Sequence, residues 1–284
     1  MIFCNSYVRF GAIPRGEYTL PKAGQPNNDK KVTVYELEPG DMAVLNALEK
    51  SIAEQKLLPS DNGKNNKEWH YEDLKLTITD AQRILRHRED KKAPYKDTSV
   101  IYMAVADQTP CGILIGNMPK LGAKGITTTY RDKPCNEETE LDWLMTWPLG
   151  SLQDRIIGVG KALLTQFFSF CSSQNPVPKT IYIRAEDPEQ TVATHFYKAM
   201  SCQEVSGGLK PWQTKDGPVD IVTHLYDPDF KPDESNVQPM EISSEKARTE
   251  AEKRQQEFKF QALQSQSVPI EEVVNLSNIH NKER

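Results

Sequence analysis

The chemistry this sequence can do centres on Arg155, Gly158, Gly160 and Lys161, in a short stretch that opens directly into an apolar helical pattern. A loop feeding a helix start leaves backbone N–H groups without helical acceptors, and the positive end of the helix dipole lies behind them. Such an arrangement holds a phosphate without any lysine being required. Gly158 and Gly160 lack the Cβ that would keep a pyrophosphate away from the main chain. The expected ligand is a phosphorylated cofactor, cradled by the backbone of Arg155, Ile156, Ile157, Gly158, Val159, Gly160 and Lys161. The alternative is a tight strand-to-helix turn with no ligand.

Spacing separates the phosphate loops that could look like this. A P-loop needs Gly where Arg155 stands and a hydroxyl where Ala162 stands. A dinucleotide fingerprint needs Gly or Ala where Leu163 stands. The spacing that fits, Arg155-x-x-Gly158-x-Gly160, resembles the acetyl-CoA pyrophosphate loop of the GNAT superfamily of N-acetyltransferases. A second stretch carries the same resemblance. Residues 180–185 alternate as a half-buried strand does, and Asp187-Pro188 reads as a helix N-cap with proline at the first helical position. Val192, Ala193, Phe196, Tyr197 and Met200 form the apolar stripe of the helix that follows. Ala193, Phe196 and Tyr197 match the second GNAT signature, while Ser201-Cys202 stands where that family has Gly-Phe.

The resemblance implies acetyl-CoA as co-substrate, no metal, and direct attack by an amine in a ternary complex. Tyr197 matches the tyrosine that protonates the leaving thiolate in the family; read without the family, it is equally an ordinary core aromatic. Leu144, Thr146 and Pro148 resemble the Leu-x-Val-x-Pro strand whose backbone holds the pantetheine arm. Counting back from that anchor places Glu140 where several members carry a base, and a strand period of two puts Glu140, Asp142 and Leu144 on one face. A carboxylate in an apolar cleft has a raised pKa suited to taking a proton from an ammonium. Glu140 is otherwise a solvated residue at a strand start, with Asp142 and Glu186 in reserve. Gln190 stands where many relatives have a cofactor-contacting Asn, although it also completes a capping box with Asp187. Residues 149–154 make the connection from Pro148 to Arg155 longer than the family's usual one. The acceptor stays open, a protein or a small-molecule amine. The competing reading is a non-catalytic module of the same fold that binds CoA or another protein.

Positioning these residues calls for a mixed α/β domain over residues 31–230, with a central, mostly antiparallel sheet flanked by helices. Residues 1–30, rich in Pro and Gly, read as an irregular arm. A strand at 32–37 leads through the Pro39-Gly40-Asp41 turn into a helix with Val44, Leu45, Leu48 and Ile52 on its apolar face. A polar loop at 59–67 precedes a shorter helix starting near Thr79-Asp80, and residues 86–92 read as a solvated, charged helix end. Strands at 99–106 and 112–118 flank a hairpin turn, residues 119–137 form a long loop, and 140–147 is the next strand. A further hairpin is expected around Asp216-Gly217. Residues 231–284 read as a polar tail, disordered or partly helical, with a charged helix over 243–266 capped at Ser243 or Ser244. That tail, including the small apolar cluster at 268–279, is the candidate contact for a protein partner.

Composition sets the outer bounds. The chain has 284 residues, 37% of them hydrophobic, and a formal charge of −5. A mean hydropathy of −0.62 points to some chain outside the packed core. The acidic balance argues against nucleic acid as the main partner. No apolar run is long enough to span a membrane, and the first residues do not resemble a secretory signal. The five cysteines are odd in number and lack metal-ligand spacing, so reduced thiols in the cytoplasm are expected, with Cys111 and Cys171 in the core.

Overall fold

The computed structural model describes residues 11–53, 66–89, 99–117, 129–130, 133–134, 138–147, 155–175, 177–186, 192–204, 212–214, 217–219, 237–263 and 274–275. In chain order the main elements are β1 (Ile13–Lys22), β2 (Gln25–Glu36), α1 (Met42–Ala53), α2 (Asn66–Glu89), β3 (Val100–Ala106) and β4 (Thr109–Asn117). Two short strands follow, β5 (Thr129–Tyr130) and β6 (Lys133–Pro134), then β7 (Glu138–Thr146), α3 (Val159–Ser172), β8 (Thr180–Glu186) and α4 (Val192–Ala199). The chain continues through β9 (Gln203–Glu204), β10 (Trp212–Thr214), β11 (Gly217–Val219), β12 (Val237–Ser243), α5 (Ser244–Glu257) and β13 (Gln261–Ala262).

One nine-stranded sheet runs in the order β13-β1-β2-β3-β4-β7-β8-β12-β9. Every pairing in it is antiparallel except β7 with β8. The fold is therefore the mixed α/β, mostly antiparallel class that the element order predicts. β3 shows how the sheet is sandwiched. Its residues Val100, Tyr102 and Ala104 join the cluster on the α3 side, whereas Ile101, Met103 and Val105 join the cluster on the α1–α2 side. A strand covered on both faces has no need of polar alternation, which is why 100–106 reads as a continuous apolar run. Asp107 and Gln108 both take positive φ (48° and 60°) in the two-residue turn to β4, the handedness a tight hairpin requires.

The N-terminal arm is not irregular over its described part. β1 pairs with β2 from Ile13↔Glu36 to Lys22↔Gln25, with register shifts at Pro14/Gly16 and Pro21/Lys22. Proline cannot donate to a ladder, so it is confined to bulges and near-edge strands, and β1 is one. β13 covers it only at Gly16 and Glu17.

α2 begins well before Thr79. Its buried stripe of Leu74, Ile78, Ala81 and Leu85 occupies the later turns, and the polar first turns carried no periodic signal. The stretch read as a polar tail holds β12, inserted between β8 and β9, and α5, capped by Ser243 accepting from the Lys246 amide at 3.4 Å. α5 packs on α3, burying only small apolar residues, Ala247 and Ala251, beside Glu250 and Arg254. Val274 is also buried, in the α1–α2 cluster, and the Asn275 amide donates to the Gln108 carbonyl at 2.9 Å.

Candidate functional site

The parallel pair is where the sheet opens. β7 and β8 pair from Glu138↔Thr180 to Leu141↔Ile183. Beyond that point β7 runs to Thr146 and β8 to Glu186 with no rungs between them among the described residues. β7 stays paired on its other edge to β4 as far as Thr146↔Gly112, and β8 to β12 as far as Glu186↔Val237. The gap therefore lies between the carboxyl ends of two parallel strands joined through α3, the position where open α/β sheets take ligands. Among the described residues it also leaves one edge of Leu144 and Thr146 without a strand partner, where an extended ligand could bond as an added strand would.

α3 starts at this gap. Its N-cap, Gly158, has φ 96° and ψ 1°, the left-handed region that glycine enters at least cost. Among the described residues no side chain caps the helix, and its first turn carries no acidic residue. The first helical bond runs from the Ala162 amide to the Gly158 carbonyl at 2.9 Å, so helix geometry leaves the Val159, Gly160 and Lys161 amides without helical acceptors. A Cβ built on Gly160 would lie 3.5 Å from the Phe196 ring and 3.6 Å from Thr146 Cγ2. The helix start, the end of β7 and α4 thus converge on Gly160. This N-terminus fits a diphosphate: it has amides without helical acceptors, a favourable dipole, a lysine in its first turn and, among the described residues, no acidic residue in that turn.

Not every amide in the 155–161 cradle is available. The Ile157 amide donates to the Pro21 carbonyl at 2.9 Å, and the Ala23 amide donates to the Arg155 carbonyl at 2.8 Å. Ile156 forms an antiparallel bridge with Lys22 and is buried. The expected use of the Ile157 amide is corrected accordingly: the β1–β2 hairpin holds this loop from behind, leaving the donors from Gly158 onward. No sequence signal marks this, because it depends on the long-range docking of β1.

The carboxylates need a second correction. The ladder passes from Ile115↔Trp143 directly to Gly116↔Leu141, so Asp142 is the extra residue of a β-bulge. A bulge breaks the period of two, and Glu140, Asp142 and Leu144 do not share a face. Leu141 and Leu144 pack with the α3 cluster, while Trp143 and Met145 pack with the α1–α2 cluster. Glu140 sits opposite Tyr182, whose side chain belongs to the α1–α2 cluster. Glu140 is 6% exposed, which does not fit a solvated strand start. Next to it, Trp143 Nε1 donates to Asp80 Oδ2 at 2.9 Å, tying β7 to α2.

Tyr197 is buried in the cluster on the α3 side, its ring 5.1 Å from that of Phe196 in an edge-on arrangement. Gln190, Pro148 and residues 149–154 lie outside the described residues. Burial raises the thiols of Cys111 and Cys202 to about 12 and that of Cys171 well above its usual value, which rules out these three as thiolate nucleophiles at neutral pH. Among the described residues no group of three or more His, Cys, Asp or Glu side chains could hold a metal ion, and no helix is long and apolar enough to cross a membrane.

No protein-family model matches the sequence, and no curated protein matches it. The chain is similar to solved structures of acetyltransferases. The PaiA N-acetyltransferase from Thermoplasma acidophilum in complex with coenzyme A is 11% identical, covering 75% of this chain and 98% of that one, with a TM-score of 0.42. RimJ from Mycobacterium smegmatis in complex with CoA-disulfide is 13% identical over 85% and 94% of the two chains, with a TM-score of 0.47. An acetyltransferase of the GNAT family from Streptococcus pneumoniae is 12% identical over 75% and 99%, with a TM-score of 0.39.

Proposed function

We propose that the protein is an acetyl-CoA-dependent N-acetyltransferase, acting in the cytoplasm on an amine of a protein or small molecule. The observation that carries this reading is the opening of β7 from β8 after Leu141↔Ile183, beside the uncapped start of α3. The Arg155-x-x-Gly158-x-Gly160 spacing supplies the motif at that place. The amides of Val159, Gly160 and Lys161 bind the diphosphate, and the free edge of Leu144 and Thr146 holds the pantetheine arm. Gln190 is a further cofactor contact in this reading.

Chemistry then needs a neutral amine and a way to release the thiol. The amine nitrogen bonds to the acetyl carbon, the carbon–sulfur bond breaks, and a proton reaches the departing sulfur. Glu140 takes one proton from the ammonium before attack, with Asp142 on the bulge as the alternative base; Tyr197 gives its proton to the sulfur, and the second proton, shed by the nitrogen once it is bonded to carbon, restores the phenol. Burial of Glu140 on the α1–α2 face supports the base role, because an ammonium approaching from that face meets a poorly hydrated carboxylate. A protein partner is assigned to the C-terminal tail, residues 231–284, outside the face of α5 that α3 covers.

The test is calorimetric titration with acetyl-CoA, followed by thiol release from acetyl-CoA with spermidine, a lysine-containing peptide and a peptide with a free N-terminus. Saturable binding and release with one of these amines is expected. A folded sample that gives no heat loses the cofactor assignment. One that binds yet releases nothing with any amine is a binding module instead.

A further inference from the structure

α5 touches both sides of the proposed site, and through contacts that apolar packing alone does not require. Arg254 is buried and donates from all three nitrogens of its guanidinium. It donates through Nε to Glu250 Oε1 at 2.7 Å, through Nη1 to Glu257 Oε2 at 2.5 Å, and through Nη2 to the Ala199 carbonyl at 2.7 Å. Ala199 is the last residue of α4, two positions after Tyr197. Glu250 holds the same helix end a second time, accepting from Ser201 Oγ at 2.7 Å. Ser201 is in the left-handed region at φ 64°, and the Met200 and Cys202 amides both close onto the Tyr197 carbonyl at 3.0 Å. Four residues on from Arg254, Phe258 at the C-cap of α5 reaches the other side. A Cβ on Gly158 would lie 3.6 Å from Phe258 Cζ and 3.5 Å from Leu20 Cδ2, and the Phe258 carbonyl accepts from the Thr19 amide at 2.8 Å.

Buried ion pairs add little net stability over well-packed apolar residues. What they do supply is a defined geometry. We propose that Arg254 and Phe258 are positioning residues of the acyl-CoA site: Arg254 sets α4 and with it Tyr197, and Phe258 sets the Gly158 loop. This rests on the acetyl-CoA reading above. It makes the C-terminal helix part of the transfer machinery, holding the phosphate cradle and the proposed proton donor at a fixed separation.

The two contacts predict opposite kinetic signatures. Phe258→Leu should raise the CoA dissociation constant and the acetyl-CoA KM about tenfold while leaving kcat within about twofold. Arg254→Gln should lower kcat about tenfold with CoA affinity within about twofold, because only the helix bearing the acid has shifted. Arg254→Lys, which keeps a donor, should recover part of that loss. Ser201→Ala, at an exposed position, removes one of the two ties to the α4 end and should lower kcat in the same direction if Arg254→Gln fails to fold. CoA titration by calorimetry and thiol release with the best amine of the panel give both quantities. Equal loss of kcat and affinity in both variants, following the folded fraction, overturns the positioning role. So does the absence of any change. A wild type that does not bind CoA overturns the acetyl-CoA reading itself, and this inference with it.

Discussion

The ring of Phe167 on α3 rests directly on Gly116 of β4. A Cβ at Gly116 would fall 2.1 Å from Phe167 Cε2 and 2.5 Å from Cζ. This is the point where β7 bulges opposite β4, between Ile115↔Trp143 and Gly116↔Leu141. Gly116→Ala is therefore expected to destabilise the protein by about 1–3 kcal/mol through overpacking. Phe167→Leu in the same chain, which clears the ring, should return part of that loss in a double-mutant cycle. A strictly additive cycle in denaturant unfolding would show that the ring is not what a side chain at 116 meets.

At the proposed phosphate loop, Gly158→Asp combines two penalties, and a control separates them. The φ of 96° strains any L-residue, so Gly158→Ala should lose about 1–2 kcal/mol of stability. Asp adds a carboxylate facing the diphosphate, and like-charge apposition costs several kcal/mol. CoA affinity should fall by at least about a hundredfold in the Asp variant relative to the Ala variant. Equal affinities for the two would place the diphosphate elsewhere.

Much of the frame was legible in the residues. The Asp107–Pro110 turn between two apolar runs, the Gly158–Gly160 helix start and the Ala193, Phe196, Tyr197 stripe all rest on local periodicity or backbone chemistry, which sequence carries directly. What was missed depends on contacts distant in the chain. β1 contains Pro14, Gly16 and Pro21, each discouraging to a strand, and exists because β2 lies alongside it and Phe260 packs on Gly16. α5 shows almost no apolar stripe, since the Glu250–Arg254 pair does what larger side chains do elsewhere. The bulge at Asp142 has no composition signature at all. One inserted residue moved Glu140 away from the face of Leu144.

Glu250 ties stability to pH. Burial acts to raise its carboxyl, but the Ser201 hydroxyl and the Arg254 guanidinium outweigh this and hold it below the usual glutamate range. A group whose folded pKa is depressed stabilises the fold above its unfolded pKa of about 4.3, and that contribution disappears as pH falls through the folded value. Glu250→Gln should thus lower Tm at pH 7, and the gap to wild type should narrow steadily below about pH 4.3. A gap that stays constant from pH 7 to acid would mean that the charge on Glu250 contributes nothing to holding α5.

Tyr197→Phe isolates the proposed proton donor. The ring stays, so packing among Phe196, Met200 and the α3 cluster is kept, and only the hydroxyl is lost. General acids typically contribute about 10²–10⁴-fold, and a thiolate leaves more readily than an alkoxide, so a kcat loss near the lower limit is expected. CoA affinity should hold, because the amides proposed for the diphosphate lie on α3 rather than α4. Undiminished turnover in the Phe variant would remove Tyr197 from the acid role and leave protonation of the sulfur to solvent.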